Sequence, residues 1–215
     1  MQNVMKSPTS LLLGWVASCL VVAGCSGSPG RVATPTIDAD DVTQAALELY
    51  DKNSDGQLDP QELRQCPALI DAMSVYDANK DGTLTGDEMI AGVNSWAARG
   101  IGAMALSFTV RLDGRPLEGA QIALTPVAFL ADYVAPATGS SDATGSGTLR
   151  ISEEDRPPNV PANLPVIQPG LYSVQITHPT VSVPARYNTA TTLGLEAGIA
   201  GQNPSGVTWD LSTKN

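Results

Sequence analysis

The chain has 215 residues, of which 22 are acidic and 12 are basic, so its formal net charge is −10. That charge disfavours binding to nucleic acid and to anionic lipid surfaces, and it favours divalent cations or basic partners. Hydrophobic residues make up 42% of the chain and aromatic residues 5%, while 20 glycines and 16 prolines indicate turns and short strands more than long helices.

The first 24 residues have the pattern of an export signal. Lys6 supplies a positive charge, and the apolar run over residues 11–23 is about half as long as a permanent membrane span. The run ends in Val22-Ala23-Gly24-Cys25, which resembles the lipobox of bacterial lipoproteins. The resemblance implies cleavage before Cys25, acylation of its thiol with palmitate or a similar chain, and a membrane anchor. An ordinary signal peptide with a coincidental cysteine is the alternative.

Three further segments follow the signal peptide of residues 1–24. Residues 25–37 are rich in Gly, Ser and Pro and are predicted to form a flexible tether. Residues 38–99 have helical periodicity and contain most of the acidity, with 13 acids against 3 bases between Asp38 and Glu88. Glycines near residue 100 end that segment, and residues 103–215 alternate in the manner of β-strands.

Two twelve-residue segments of the acidic region carry oxygen-bearing side chains at one repeated spacing. Positions 1, 3, 5, 7, 9 and 12 are Asp51, Asn53, Asp55, Gln57, Asp59 and Glu62 in the first, and Asp77, Asn79, Asp81, Thr83, Thr85 and Glu88 in the second. A glycine at position 6 lets the chain turn sharply, so that these oxygens converge on one point. Calcium takes six to eight oxygen ligands, and this spacing predicts two bound Ca²⁺ ions. Position 7 offers its backbone carbonyl, and Thr85 is expected to act through water.

The two loops and their flanks, about 60 residues, resemble the EF-hand family. Leu58 and Leu84 occupy position 8, where paired EF hands join through a short β-ribbon. The loops begin 26 residues apart, and Pro67 is predicted to stop the first exiting helix after one turn, before a short helix over 68–76. This compact unit suits a structural calcium site better than a sensor that opens a groove. Two acidic turns without metal are the alternative.

The C-terminal segment is predicted to contain about seven short strands, which suggests a sandwich. The predicted strands cover residues 105–112, 119–126, 147–151, 171–177, 191–196 and 207–212. The runs 112–120, 142–145 and 169–172 resemble carboxypeptidase regulatory-like, or transthyretin-like, domains, and 183–188 resembles small bacterial lipoproteins that carry this sandwich. The resemblance implies a fold and no catalytic residue.

Little in the remaining sequence indicates catalysis. His178 is the only histidine, and the chain has no nucleophile elbow, zinc spacing or phosphate-binding loop. Tyr172 and Trp209 are predicted core residues, with an exposed glycan platform as the alternative. Cys66 is predicted to be a buried structural thiol, and an intermolecular disulfide or a reactive thiol is the alternative.

The sequence therefore predicts an α+β multidomain protein, with a small helical EF-hand pair over 38–99 and an all-β Greek-key sandwich over 103–215. We expect a non-enzymatic, calcium-binding lipoprotein of the cell envelope, anchored at the outer membrane and facing the periplasm or the surface. Calcium is expected to be structural and the sandwich to be the presented module. The alternative is a calcium-dependent module that binds an envelope glycan or protein, and an enzyme accessory role is a third, weaker possibility.

Overall fold

The computed structural model describes residues 32–198 and 206–214. The predicted signal peptide, Cys25 and the first part of the predicted tether lie outside these residues. Between residues 32 and 102 the structure has three α-helices: α1 (Ala39–Tyr50), α2 (Pro67–Tyr76) and α3 (Gly86–Arg99). Within the described ranges, no helix is both long enough and apolar enough to cross a membrane.

Local capping explains where the helices begin and end. The Asp38 carboxylate accepts the N–H groups of Asp40 and Asp41 and caps α1. A reciprocal capping box between Thr85 and Glu88 starts α3, which ends at Gly100 in the left-handed conformation.

The prediction for Pro67 is confirmed. The segment that leaves the first loop is a single 3₁₀ turn, Leu63–Gln65, and Pro67 is the first residue of α2. Proline is tolerated at this position because its missing N–H would have no helical partner there. The structure thus has an abbreviated helix on one side of the first loop.

The short ribbon predicted between the two loops is also confirmed. Strands β1 (Gln57–Leu58) and β2 (Leu84–Thr85) pair antiparallel, with Leu58 opposite Leu84. Both leucines are fully buried. The ribbon therefore joins the loops through backbone hydrogen bonds and a shared apolar contact.

Among the described residues of the C-terminal region, nine further strands form two sheets. They are β3 (Ser107–Leu112), β4 (Arg115–Pro116), β5 (Gln121–Pro126), β6 (Ala137–Ser140), β7 (Ser146–Thr148), β8 (Arg150–Ile151), β9 (Leu171–Thr177), β10 (Gly194–Glu196) and β11 (Val207–Leu211). One sheet has the order β10-β9-β5-β6-β8, and the other has the order β11-β3-β4 with β7 also paired to β3. The predicted α+β class is confirmed.

Several details of the sheets were not predicted from the sequence. Strand β6 was not predicted, because its Ala-Thr-Gly-Ser composition has low strand propensity. Its Gly139 passes so close to the Phe108 ring that an added Cβ would lie 2.8 Å from a ring carbon. Strand β11 pairs parallel to β3, and β10 begins only at Gly194.

The helices and the sheets share one continuous hydrophobic core. Tyr50 at the end of α1 packs edge-on against Phe129, with ring centroids 6.3 Å apart. Tyr172, Trp209 and Cys66 are all buried, which confirms their predicted core positions. The predicted division into a segment over 38–99 and another over 103–215 stays a prediction.

Candidate metal centre

The first loop holds its end carboxylates in place through its own backbone. Asp51 at position 1 accepts the N–H of Ser54 at 2.6 Å and that of Gly56 at 2.9 Å. Glu62 at position 12 accepts the N–H of Lys52 at 2.7 Å and is 5% exposed. The carboxylates at the two ends of the loop are therefore turned toward the same stretch of backbone.

The second loop repeats this arrangement atom by atom. Asp77 accepts the N–H of Lys80 at 2.6 Å and that of Gly82 at 3.0 Å. Glu88 accepts the N–H of Ala78 at 3.1 Å and that of Thr85 at 3.0 Å. The same hydrogen-bond pattern at the same loop positions shows that both segments fold into one type of loop.

Positions 3 and 5 are linked in both loops. Asn53 Oδ1 accepts the N–H of Asp55, and the Asn53 amide donates to Asp55 Oδ2 at 3.0 Å. Asn79 and Asp81 make the same two contacts. These bonds bring the position-3 and position-5 side chains together in each loop.

Position 9 caps the segment that leaves each loop. Asp59 Oδ1 accepts the N–H groups of Gln61 and Glu62, at 2.7 and 2.9 Å. Thr85 accepts the N–H of Glu88 and donates its hydroxyl hydrogen to the Glu88 carboxylate at 2.8 Å. Position 9 therefore also orients the bidentate residue at position 12.

The sharp turn that the glycines were predicted to allow is present. Gly56 has φ +82° and Gly82 has φ +87°, in the left-handed region where a Cβ is disfavoured. The residues at position 4, Ser54 and Lys80, also have positive φ, at 60° and 62°. The loop spacing does not by itself predict a positive φ at position 4.

The hydrogen bonds favour ionised carboxylates in the second loop. The N–H of Thr83 holds the pKa of Asp81 below its usual value, with help from the Thr83 hydroxyl and Asn79. The N–H of Thr85 similarly lowers the pKa of Glu88, against a smaller opposing effect of burial. Both groups are therefore charged acceptors at neutral pH.

The donor chemistry fits calcium. Each loop offers hard oxygen donors from carboxylates, one asparagine side chain and the position-7 carbonyl, which is the mixture that calcium takes. Across residues 32–198 and 206–214, no three His, Cys, Asp or Glu side chains stand together as a metal-holding group. Asn53, Asn79 and the two position-7 backbone carbonyls are the neutral donors that the loops offer.

One contact between the loops was missed by sequence reasoning. The Thr83 hydroxyl lies 3.2 Å from Gln57 Oε1 and 2.7 Å from Asp81 Oδ1. Both Gln57 and Thr83 had been assigned only a backbone role at position 7. The signal was the pairing at position 8, because the antiparallel register places Gln57 and Thr83 diagonally across the Leu58–Leu84 pair, on the same face of the ribbon.

Beside the first loop lies an open pocket of about 330 Å³. Its lining is polar and consists of Lys52, Asn53, Asp59, Gln61, Glu62 and Gln65. Three of these are predicted ligands, so the pocket is the solvent-facing side of the calcium loop.

Comparison with protein families agrees with this geometry. Two segments, residues 43–67 and 69–93, match the family model of the EF hand. The helical region is therefore an EF-hand domain, and the pair of EF hands supports calcium binding by the chain. Comparisons with curated proteins and with solved structures found no match.

Proposed function

We propose that the chain is a calcium-binding lipoprotein of the cell envelope, in which calcium braces the fold and the β-sheets form the presented module. The observation that carries the structural role is the shared core. Helix α2, which leads into the second loop, packs the backbone of Pro67 and Ala68 against Gly194 of β10, and α1 packs Tyr50 against Phe129. Calcium that orders the loops thereby also stabilises the contact with the sheets.

Electrostatics support the brace. The first loop has four coordinating carboxylates and the second has three, all within two short segments. Without a cation these charges repel one another, so removing calcium costs stability. Extracellular modules of this kind bind calcium with dissociation constants of about 10⁻⁴–10⁻³ M, which suits permanent loading in external medium.

The chelator experiment tests the brace. Calcium at about a hundred times its dissociation constant stabilises a protein by about 2.7 kcal/mol for each site. We expect the melting temperature of the full chain to fall in chelator, with the signal of the helices and that of the sheets falling together. An unchanged melting curve in chelator, in a protein shown by calorimetry to bind two calcium ions, would contradict the structural role.

The lipid anchor is proposed from the sequence at Cys25, with the chain at the outer membrane. Metabolic labelling with palmitate should mark the wild-type chain and leave Cys25→Ser unlabelled. Membrane association that persists in Cys25→Ser would overturn the anchor.

The alternative, a calcium-dependent glycan- or protein-binding module, rested partly on exposed aromatics. Tyr172 and Trp209 are buried, at 0% and 6% exposure, so neither forms such a platform. We therefore favour the brace without a catalytic role. Pull-down from an envelope extract in calcium and in chelator separates the two, since calcium-dependent capture of one glycan or protein would establish the alternative.

A further inference from the structure

The two helices that flank the second loop both hold the same residue of the five-stranded sheet. Trp96 on α3 donates its indole N–H to Glu196 Oε1 at 2.8 Å. Asp71 Oδ2 on α2 accepts the backbone N–H of Glu196, also at 2.8 Å. Helix α2 ends where the second loop begins at Asp77, and α3 contains Glu88 at the end of that loop. Glu196 is therefore hydrogen-bonded to the helices on both sides of the second loop.

The hydrogen bond between Trp96 and Glu196 is buried. Glu196 is 9% exposed and Trp96 is 4% exposed, while Asp71 lies at the solvent rim. Glu196 Oε2 and the Tyr76 hydroxyl are buried with no hydrogen-bond partner among the described residues. Burying a carboxylate costs stability unless it is hydrogen-bonded, so the fold depends on the contacts that hold Glu196 between the two helices.

Other charged and titratable groups face Glu196 from the same helices. Burial raises the pKa of Glu196, and the hydrogen bonds from Trp96 and from the Gly198 backbone oppose that rise. The Asp71 charge also raises this pKa, and the Arg99 charge lowers it. On α2, Tyr76 feels the Glu196 charge in turn. Glu196 therefore interacts electrostatically with groups on both helices, in addition to its hydrogen bonds with Trp96 and Asp71.

Backbone packing fixes the same strand to the start of α2. A Cβ on Gly194 would lie 2.2 Å from the backbone of Pro67 and Ala68. Strand β10 therefore touches α2 at its first turn through Gly194 and farther along at Asp71 through Glu196. A rotation of α2 relative to α3 would break at least one of these contacts.

We propose that Asp71 and Trp96 are positioning residues, which grip Glu196 and so couple calcium binding by the second loop to docking of β10. The inference rests on calcium binding by that loop and adds a specific regulation to it. The loop geometry and the hydrogen bonds of Glu196 with Asp71 and Trp96 belong to the same folded state, so an interaction that stabilises one also stabilises the other. By linkage the effect is reciprocal, because docking raises calcium affinity by the factor by which calcium strengthens docking.

Hydrogen exchange of the Glu196 amide measures this contact directly, because the Glu196 N–H donates its hydrogen bond to Asp71. In the full chain, we expect calcium to slow exchange of this amide about fivefold or more relative to chelator. The control is the amide of Val110, a residue of β3 in the other sheet, which donates to the Gly145 carbonyl at 2.8 Å. It should slow only as far as calcium suppresses global unfolding, and therefore less than the Glu196 amide. Glu88→Gln should abolish the slowing, and Glu62→Gln should retain it.

The outcomes separate this inference from the proposed function. Calorimetric binding of calcium without slowing at Glu196, or with equal slowing at Val110, would overturn the coupling alone. Absence of calcium binding would overturn both.

Affinity gives the reciprocal test. In a Glu62→Gln background, which isolates the second loop, Glu196→Leu should weaken calcium binding about fivefold, while Glu196→Gln, which keeps an oxygen for Trp96, should change it by less than about twofold. Asp71→Ala removes only a rim acceptor and provides a second variant if Glu196→Leu does not fold. A lower melting temperature with unchanged calcium affinity in both Glu196→Leu and Asp71→Ala would show a merely structural contact and overturn the proposal.

Discussion

The Thr83 hydroxyl lies 3.2 Å from the Gln57 side-chain oxygen and 2.7 Å from Asp81 Oδ1, so its single hydrogen is within reach of an acceptor in each calcium loop. Gln57 belongs to the first loop and Asp81 is a predicted ligand of the second. The hydroxyl lies beside the backbone ribbon in which Gln57 pairs with Thr85. One uncharged hydroxyl group thus contacts a side chain of each loop.

Replacing Thr83 by valine should weaken the second loop. The Thr83→Val side chain has a similar shape but no hydroxyl, and the backbone carbonyl offered to calcium is retained. One hydrogen bond is worth about 1 kcal/mol, which corresponds to about a fivefold weaker second-loop affinity by calorimetry. Thr83→Ser restores the hydroxyl and is the matched control. Equal affinities for the valine and serine variants would show that the hydroxyl does not position Asp81.

The two loops should differ in strength. Four carboxylates in the first loop against three in the second give the first the stronger attraction for a divalent cation. Glu62→Gln should therefore remove the tighter calcium site and Glu88→Gln the weaker one, leaving one calorimetric transition in each. Glu48→Gln, an exposed change on α1, should leave both. A tighter remaining site in Glu62→Gln than in Glu88→Gln would reverse the ranking.

The calcium loops could be predicted from the sequence because their chemistry is local. Twelve consecutive residues fix the oxygens, the turn at Gly56 and the cap at Asp59, so spacing alone specifies the geometry. The hydrogen bond between Trp96 and Glu196 could not be predicted in that way. Trp96 and Glu196 are separated by 100 residues, and no periodicity marks a pair that only the packing of α3 on β10 brings together.

The sheets show the same limit. Strands with apolar alternation, such as Leu171–Thr177, were predicted at their observed positions. Strand Ala137–Ser140 was not, because its small residues are selected by contact with Phe108 and with neighbouring strands. The parallel pairing of β11 with β3 depends on the path of the whole chain, which local turn signals do not specify.

Gly194→Ala should undock β10 from α2. The added Cβ would lie 2.2 Å from main-chain atoms of Pro67 and Ala68, which cannot move aside as a flexible side chain can. Overpacking of this kind costs about 1–3 kcal/mol in the free energy of unfolding, measured by urea denaturation. Ser173 pairs with Gly194 across the ladder, and Ser173→Ala is a matched control with little expected effect. Full stability of Gly194→Ala would show that α2 can shift without loss.

Stability should depend on pH through Glu196. Burial raises the pKa of Glu196 above that of an unfolded glutamate, which is about 4.3. The folded state therefore holds the proton more tightly, so this contribution to stability is complete below about pH 4 and is lost as pH rises through the raised pKa. Glu196→Gln cannot titrate, so its free energy of unfolding relative to wild type should increase across that window and then level off. Calcium-free urea denaturation between about pH 4 and 8 measures this, with the exposed Glu118→Gln as the control. A pH-independent difference would contradict it.

Cys66 should report calcium occupancy of the first loop. Its thiol is buried, and burial raises its pKa, so the reactive thiolate is scarce in the folded protein. It lies four residues after Glu62, directly after the 3₁₀ turn Leu63–Gln65 that leaves the loop, so loss of calcium should expose it. Calcium at about ten times its dissociation constant lowers the calcium-free population about tenfold, and alkylation of the Cys66 peptide, followed by mass spectrometry, should slow by a similar factor. Glu62→Gln should label quickly with or without calcium, because its first loop cannot be loaded. Slow labelling of that variant in chelator would show that Cys66 is protected by the core alone and not by the metal.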